Sequence, residues 1–445
     1  SRVPWHAGQI DEPSIGLHSR DTDRLIHVLR ELQQLHNTVI VVEHDEDIMR
    51  AADYIIDVGP DAGRLGGEIV FEGTLDDILH ADPDKTRSHT VRYLSGADKI
   101  PVPQSRRQWN HAIKILGARM NNLCGIDATL PLNVLTVVTG VSGSGKSSLI
   151  KGILYPALKR HLNEAADTPG EYSSLEGDWQ MVKHVEFVDQ NPIGKSTRSN
   201  PATYIKAYDA IRQLFASQPL AKQEGYTAQY FSFNAEGGRC EECKGAGVIT
   251  VEMQFMADLV LECDACHGRR FKKEILDVRF HDKNIYDVLN MTVREAIEFF
   301  EKYGEKQIAD KLRPLDAVGL GYIKLGQSSS TLSGGENQRV KLAYFIGQER
   351  QDPTLFIFDE PTTGLHFHDI HRLLKAFNTL IEKGHSIIVI EHNMDVIKCG
   401  DYVIDLGPDG GNKGGNIVCC GTPEEVARCR ESATGRYLSE KLRAD

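Results

Sequence analysis

No run in this sequence approaches the roughly 18 consecutive apolar residues that a helix needs to cross a bilayer, and no secretory leader pattern precedes Asp11. Aromatic residues are sparse, at 7% with three tryptophans. Basic residues are in deficit: 51 Lys and Arg stand against 63 Asp and Glu, a formal charge of −12. That balance excludes indiscriminate attraction of polyanions by the whole surface and leaves only a local basic groove for the purpose. A membrane partner is not expected, and a cytoplasmic location is. There is also no initiator methionine at Ser1, which reads as a piece of a longer chain or a processed product. What remains is ordinary for a soluble globular protein, 40% hydrophobic and 26% charged, with room for roughly two or three domains in 445 residues.

The chain repeats itself. Asp11-Glu12-Pro13-Ser14-Ile15-Gly16-Leu17-His18 returns as Asp359-Glu360-Pro361-Thr362-Thr363-Gly364-Leu365-His366, an offset of 348 that holds through Glu43-His44 and Glu391-His392 and on to Gly73 and Gly421. Ungapped self-similarity of this length means two copies of one unit. Each copy reads as an acidic turn, an amphipathic helix, a buried strand (Val39 to Val42, Ile387 to Ile390) and a Gly-rich hairpin. Before Asp359 stands an apolar strand, Thr354 to Phe358. The matching segment before Asp11 does not read as a buried strand, and residues 1–10 are taken as foreign or unfolded. Mixed polar sequence from about Asp76, with a short helix at Val91–Leu94, leads into a linker at 96–112 containing Pro101, Pro103 and Arg106-Arg107.

Gly140-Val141-Ser142-Gly143-Ser144-Gly145-Lys146-Ser147 fits the G-x-x-x-x-G-K-[ST] phosphate loop. A β-branched run, Val134 to Thr139, leads in, and Ser148-Leu149-Ile150 opens a helix. Glycines let successive N–H groups curl toward a β-phosphate, Lys146 adds a point charge, and the Ser147 hydroxyl can ligate Mg²⁺. Downstream, Leu332-Ser333-Gly334-Gly335-Glu336 offers a capped helix start whose bare N–H groups suit a phosphate. In company with the phosphate loop it is an ATP-binding-cassette signature. Asp359 and Glu360 end an apolar strand: Asp359 would hold Mg²⁺ through water, and Glu360 would orient and deprotonate the attacking water. Gln190, after the apolar Val185 to Val188, is placed to sense Mg²⁺ and γ-phosphate, and His392 to contact the γ-phosphate. The spacing of phosphate loop and signature predicts an inserted domain at 161–331, flanked by nucleotide-binding lobes at 113–160 and 332–445, with residues 1–95 as the end of an earlier unit.

Cys240-x₂-Cys243-x₁₉-Cys263-x₂-Cys266 has the spacing of a closed, structural Zn²⁺ site. The stretch Val248 to Phe255 suggests a hairpin that brings the pairs together. Cys124, Cys399, Cys419, Cys420 and Cys429 show no ligand spacing. Basic residues flank the site, among them Lys195, Arg198, Arg269, Arg270 and Lys273; they are candidates for DNA phosphates, against the plainer reading of a solvated charged face.

Together Gly140 to Ser148, Val188-Asp189-Gln190-Asn191-Pro192-Ile193-Gly194, Arg198 to Tyr204, Gly237 to Cys243, Leu332 to Glu336 and both Asp-Glu-Pro-x-x-Gly-Leu-His turns resemble the UvrA family, the damage-sensing ATPases of bacterial nucleotide excision repair. The likeness runs from about Asp11 to Leu442. It implies an α/β ATP-binding-cassette fold with an inserted zinc-containing, helix-rich signature domain, preceded by the last part of a second cassette. It also implies ATP, Mg²⁺ and Zn²⁺ as cofactors, recognition of lesion-bearing duplex DNA by shape, a homodimer, and a UvrB-type partner whose binding region would lie upstream of Ser1. Two rival classes share parts of the pattern. Transporter- or ribosome-associated cassette ATPases share every nucleotide motif but have no reason for the cysteine module. A DnaJ-type zinc chaperone shares Cys240-x-x-Cys243-x-Gly245-x-Gly247 but carries no phosphate loop. With one phosphate loop and one signature, both in the second unit, the chain is expected to hydrolyse ATP only when two chains pair second unit against second unit, and otherwise to act as an ATPase-deficient binder of nucleotide, zinc and DNA.

Overall fold

A computed structural model describes the chain except residues 1–6, 61–62, 64–65, 195, 197, 252, 254–258, 349–351 and 444–445. It divides into two compact units, one formed by 1–189 with 349–445 and the other by 190–348. The second unit overlaps the expected insertion at 161–331 without sharing its bounds. Residues 174–188 supply strands Ser174–Gly177 and His184–Val188 to sheets of the first unit, whereas the signature helix Gly334–Ile346 falls in the second.

The first unit is built on a six-stranded sheet in the order Asn416–Gly421, Tyr402–Gly407, Leu135–Gly140, Ser386–Ile390, Thr354–Asp359, His184–Val188. All neighbours are parallel except the first pair. Its central strands are largely apolar because both faces are covered. Every residue of Leu135–Gly140 and Ser386–Ile390 is buried. The helix Phe367–Glu382 packs Ile370, Leu373, Leu374, Phe377 and Ile381 inward at helical spacing. A three-stranded antiparallel sheet, Ile126–Pro131, Ala112–Ala118 and Ser174–Gly177, closes the core on Leu149, Ile153 and Leu154 behind the phosphate loop.

The first copy of the repeat folds within the same unit. Ala7–Asp11 pairs in parallel with Thr38–Val42, and Ile55–Gly59 pairs antiparallel with Glu68–Gly73, each at the 348-residue offset from its counterpart. This corrects the reading of residues 1–10: 7–10 are strand, while 1–6 lie outside the described residues. The weak apolar pattern of Ala7-Gly8-Gln9-Ile10 misled because this strand is not buried. The expectation of a buried strand at Val39 to Val42 is corrected for the same reason. In the second copy Leu135–Gly140 lies between Ser386–Ile390 and Tyr402–Gly407; among the described residues no strand lies between Thr38–Val42 and Ile55–Gly59. Ile40 is accordingly 54% exposed and Val58 64%, where Ile388 and Leu406 are 0% and 1%. The polar stretch from Asp76 also holds more structure than expected, helices Leu75–His80 and His89–Leu94, whose Ile78, Val91 and Leu94 form a small core with Ile55. After it, Arg106 and Arg107 pin the extended 96–111 segment to Glu424 and Asp401.

The second unit is mainly helical. Helix Val293–Lys302 starts on a Thr292/Glu295 capping box and buries Val293, Ala296, Ile297 and Phe300, the stripe that faces a core. A short antiparallel hairpin, Val248–Val251 with Leu259–Glu262, joins the two cysteine pairs. It agrees with the expected hairpin up to Val251; Glu252, Gln254 and Phe255 lie outside the described residues.

Candidate nucleotide site and metal centre

In the first unit the phosphate loop leaves the sheet at Gly140, with φ +133°. A Cβ there would stand 2.0 Å from the Leu406 carbonyl oxygen, so the neighbouring strand excludes any side chain. The chain then turns into a helical stretch, Ser148–Leu154 continued by Tyr155–His161. Lys146 is buried, its Nζ donating to the carbonyls of Gly140 (2.9 Å) and Val141 (3.0 Å). Burial pulls it down to about 8, against the carboxylates of Glu360, Asp405, Asp21 and Asp359, which hold it up. Ser144 Oγ is buried with no hydrogen-bond partner among the described residues. Gly143 and Ser147 are exposed, Ser142 and Gly145 partly so, and Ser148 Oγ accepts from Asn121. Exposed glycine backbone, an orphaned hydroxyl and a lysine folded onto its own loop fit a polyphosphate.

Glu360 follows strand Thr354–Asp359 and His392 follows Ser386–Ile390, so both stand with Lys146 at the carboxyl ends of three parallel strands. His392 Nε2 lies 3.5 Å from Glu360 Oε1. That contact holds the Glu360 carboxyl below its ordinary range, against the opposing effect of burial. Asp359 is shifted the other way, raised by burial and then by Glu360 beside it. Glu360 is thus held toward its ionised form, the state a base requires.

The first copy repeats this geometry. His44 Nε2 is 3.4 Å from Glu12 Oε1, and both glutamates sit at positive φ, 41° and 46°. The two pairs line one cavity of about 290 Å³, which Gly16, Gly364, Glu43 and Glu391 also border. A Cβ on Gly16 would lie 3.1 Å from Glu360 Oε2, and one on Gly364 3.6 Å from Glu12 Oε1. Each acidic turn therefore covers the carboxylate of the other copy.

The turn Glu12 to Asp21 also reaches the phosphate loop. Ser142 N–H points at Asp21 Oδ2 and Ser142 Oγ–H at the Gly16 carbonyl, both at 3.4 Å, and Arg20 pairs with Asp409 at 2.8 Å. His18, fully buried, accepts from Arg20 N–H through Nδ1 (3.1 Å) and donates through Nε2 to Thr434 Oγ1 (3.0 Å), which donates to Asp405 Oδ1. His366 meets Thr90 in the reciprocal way at 3.2 Å. Thr90 and Thr434 differ by 434 − 90 = 344, so the repeat continues past Gly73 after a four-residue shift, and each copy holds the other's histidine. The two copies of the repeat thus pack on one another through these turns. Sequence reading missed Gly16, His18 and Asp21 as parts of the site; the repeated Gly-Leu-His was the signal.

In the second unit Ser333 caps helix Gly334–Ile346 in a capping box with Glu336. Ser333 is exposed and Gly335 buried. Gln190 lies here too: its Oε1 is 2.8 Å from where a Cβ on Gly334 would be. Asn337, buried beneath, fixes the turn through Leu332 and Ser333 carbonyls.

The four cysteines Cys240, Cys243, Cys263 and Cys266 are buried as one cluster. Sγ–Sγ separations are 3.9 Å for Cys240 and Cys263 and 3.7 Å for Cys243 and Cys266. A tetrahedron with Zn–S of about 2.3 Å has an edge of ~3.8 Å, so these sulfurs fit zinc. Of the basic candidates, Arg198 bonds the Lys244 carbonyl and Arg269 the Cys266 carbonyl, and Lys273 is exposed at a helix start. Arg270 is partly exposed, with its guanidinium 5.6 Å over the Phe233 ring and its Nη1 buried. Lys195 lies outside the described residues.

No family model matches the chain. It is 52% identical over 434 residues to UvrABC system protein A of Clostridium perfringens, 97% of this chain and 46% of that protein. It is likewise 52% identical over 437 residues to UvrABC system protein A of Staphylococcus aureus strain COL, 98% of this chain and 45% of that one. UvrA2 from Deinococcus radiodurans has the same fold at a TM-score of 0.90 and 43% identity, over 98% of this chain and 51% of its own. A ribosome-bound archaeal Pelota and ABCE1 assembly matches at 0.51 with 15% identity, over 99% of this chain and 60% of its own, a likeness of fold alone. The chain spans about half the length of the curated relatives it matches.

Proposed function

From its 52% identity to UvrABC system protein A relatives, of which it spans about half, we propose that this chain is a member of that family that binds and hydrolyses ATP and uses it in recognising distorted duplex DNA during nucleotide excision repair. The observation that carries this reading is the convergence of Lys146, Glu360 and His392 at the carboxyl ends of three parallel strands. Lys146 and the loop amides would hold the β- and γ-phosphates, Glu360 would align and deprotonate the attacking water, and His392 would face the γ-phosphate. Ser147 and Asp359 are the residues to hold Mg²⁺, which when bound neutralises charge developing on the phosphate oxygens. Gln190 and the Ser333-Gly334-Gly335 helix start are the second unit's own candidates for phosphate contacts. Zinc in the four-cysteine cluster would be structural, and Arg198, Arg269 and Lys273 beside it would meet DNA phosphates. Pairing of two chains and a UvrB-type partner belong to the same family-level reading, in the cytoplasm.

The test is retention of duplex DNA, intact or bearing one bulky lesion, measured with ATP across a salt series. Binding should prefer the lesion. Replacing Arg198, Arg269 and Lys273 with glutamine should lower the log–log salt slope by about 0.9 for each true phosphate contact. No lesion preference together with an unaltered slope would sink the reading. Pairing is tested separately: ATPase rate per chain should rise with protein concentration if a second chain completes the site, and a rate that stays flat down to monomer concentrations would count against pairing.

A further inference from the structure

Arg270 sits four residues beyond the last metal-type cysteine and is held in an unusual way. Its φ is +68°, a conformation that non-glycine residues reach only when their surroundings over-determine it. Its carbonyl accepts from Cys240 N–H at 2.8 Å, which ties it to the first cysteine pair. Its side chain runs back across the knuckle: a Cβ on Gly247 would meet Arg270 Cγ at 3.1 Å and Nε at 3.5 Å. The Gly247 amide in turn donates to Cys243 Sγ at 3.2 Å. The guanidinium lies over Phe233, and among the described residues it forms no ion pair with a carboxylate, and its buried Nη1 has no hydrogen-bond partner. A cation with a buried, unpartnered N–H group is costly unless an anion compensates it. Burial depresses Arg270, and Tyr208, Tyr286, Cys243 and Cys266 act in the opposite direction.

Four thiolates around one divalent ion leave about two negative charges in a buried site. We propose that Arg270 is the charge partner of the four-cysteine zinc site, lowering the cost of the tetrathiolate and so setting zinc affinity and thiolate reactivity, rather than contacting DNA. It acts through the cysteines and is a positioning residue, in the sense that outer groups tune a metal without ligating it. The inference rests on these cysteines holding zinc. Absence of zinc from the wild-type chain would defeat that assignment, whereas zinc present but indifferent to Arg270 would defeat this one alone.

The experiment uses the full chain with Arg270→Gln and Arg270→Lys. Zinc is competed away with a chromogenic chelator, and thiol alkylation is followed in parallel. The Gln variant should release zinc at about tenfold lower chelator concentration, within the range typical of lost outer-shell partners, and its thiols should alkylate faster. The Lys variant, which keeps the charge, should stay within about threefold of wild type, and the Gln–wild-type gap should narrow at high salt. At saturating zinc the Gln variant should keep the wild-type salt slope for DNA. Equal zinc retention in the Gln variant and wild type would overturn the proposal, as would a Lys variant as weak as the Gln one, which would mean shape rather than charge. A module that folds with Lys but not with Gln supports the charge role; one that folds with neither refutes it. A reduced DNA salt slope would return Arg270 to the phosphates.

Discussion

His18 offers a measurement of how firmly the two copies are seated on one another. Its Nδ1 accepts the Arg20 amide and its Nε2 donates to Thr434, so both ring nitrogens are engaged only in the neutral form. A proton on Nδ1 removes the cap from helix Ser19–Gln34 and places a charge in a fully buried site near Lys146. Burial, and then the neighbouring His392 and Lys146, lower His18 from 6.5 to about 3. Between those values the unfolded chain takes up a proton that the folded chain refuses, so stability falls as pH falls. From pH 7 to pH 5 the loss attributable to His18 is ~2 kcal/mol. His366, lowered to about 4, acts in the same direction, and Asp45, raised to about 7 by burial, acts in the opposite one. Only a comparison with a variant therefore isolates His18.

In His18→Asn the amide oxygen can still cap the helix, while the Thr434 contact and the titration are gone. Loss of that bond and of ring volume should cost about 1–3 kcal/mol at pH 7. At pH 5 the gap to wild type should shrink by ~2 kcal/mol. Urea unfolding followed by indole fluorescence is the assay, because Trp109 and Trp179 belong to the first unit and residues 190–348 contain no tryptophan. A gap that stays constant from pH 7 to pH 5 would refute the buried, neutral His18 and the interlock built on it.

Two further outcomes follow from the same geometry. Gly16→Val puts a β-branched residue at φ +68° with its Cβ 3.1 Å from Glu360 Oε2; ATPase kcat should fall about tenfold or more with nucleotide affinity little changed, the signature of a displaced catalytic carboxylate. Gly364→Val, which meets Glu12 instead, should cost stability but not kcat, and equal kcat losses in both variants would show that strain rather than Glu360 placement is responsible. Cys263→Ser should abolish zinc retention and disorder the knuckle, since a structural zinc site contributes on the order of 10 kcal/mol, yet leave the indole-reported urea midpoint of the first unit in place; a metal-free chain with a protected knuckle would count against a structural zinc.

The features legible in the sequence were those a short stretch of backbone carries by itself. Gly140 to Ser147 needs only a strand before and a helix after, and both are present. The cysteine pairs needed a hairpin of the right span, and Val248–Val251 with Leu259–Glu262 supplies it. The repeat was visible because it keeps one register over more than sixty residues. Tertiary structure decided everything that depends on which surfaces meet. Ile40 and Ile388 occupy the same place in the pattern, yet one is exposed and the other sealed, because burial of a strand is a property of its neighbours rather than of its residues. Arg270 read as a surface charge until its stem was seen to lie along Gly247 and its head over Phe233. Local pattern likewise could not say that Gly16 covers Glu360 or that His18 and His366 exchange threonines between copies. Those contacts join residues hundreds of positions apart, and hydrophobic periodicity and turn chemistry act only over a few.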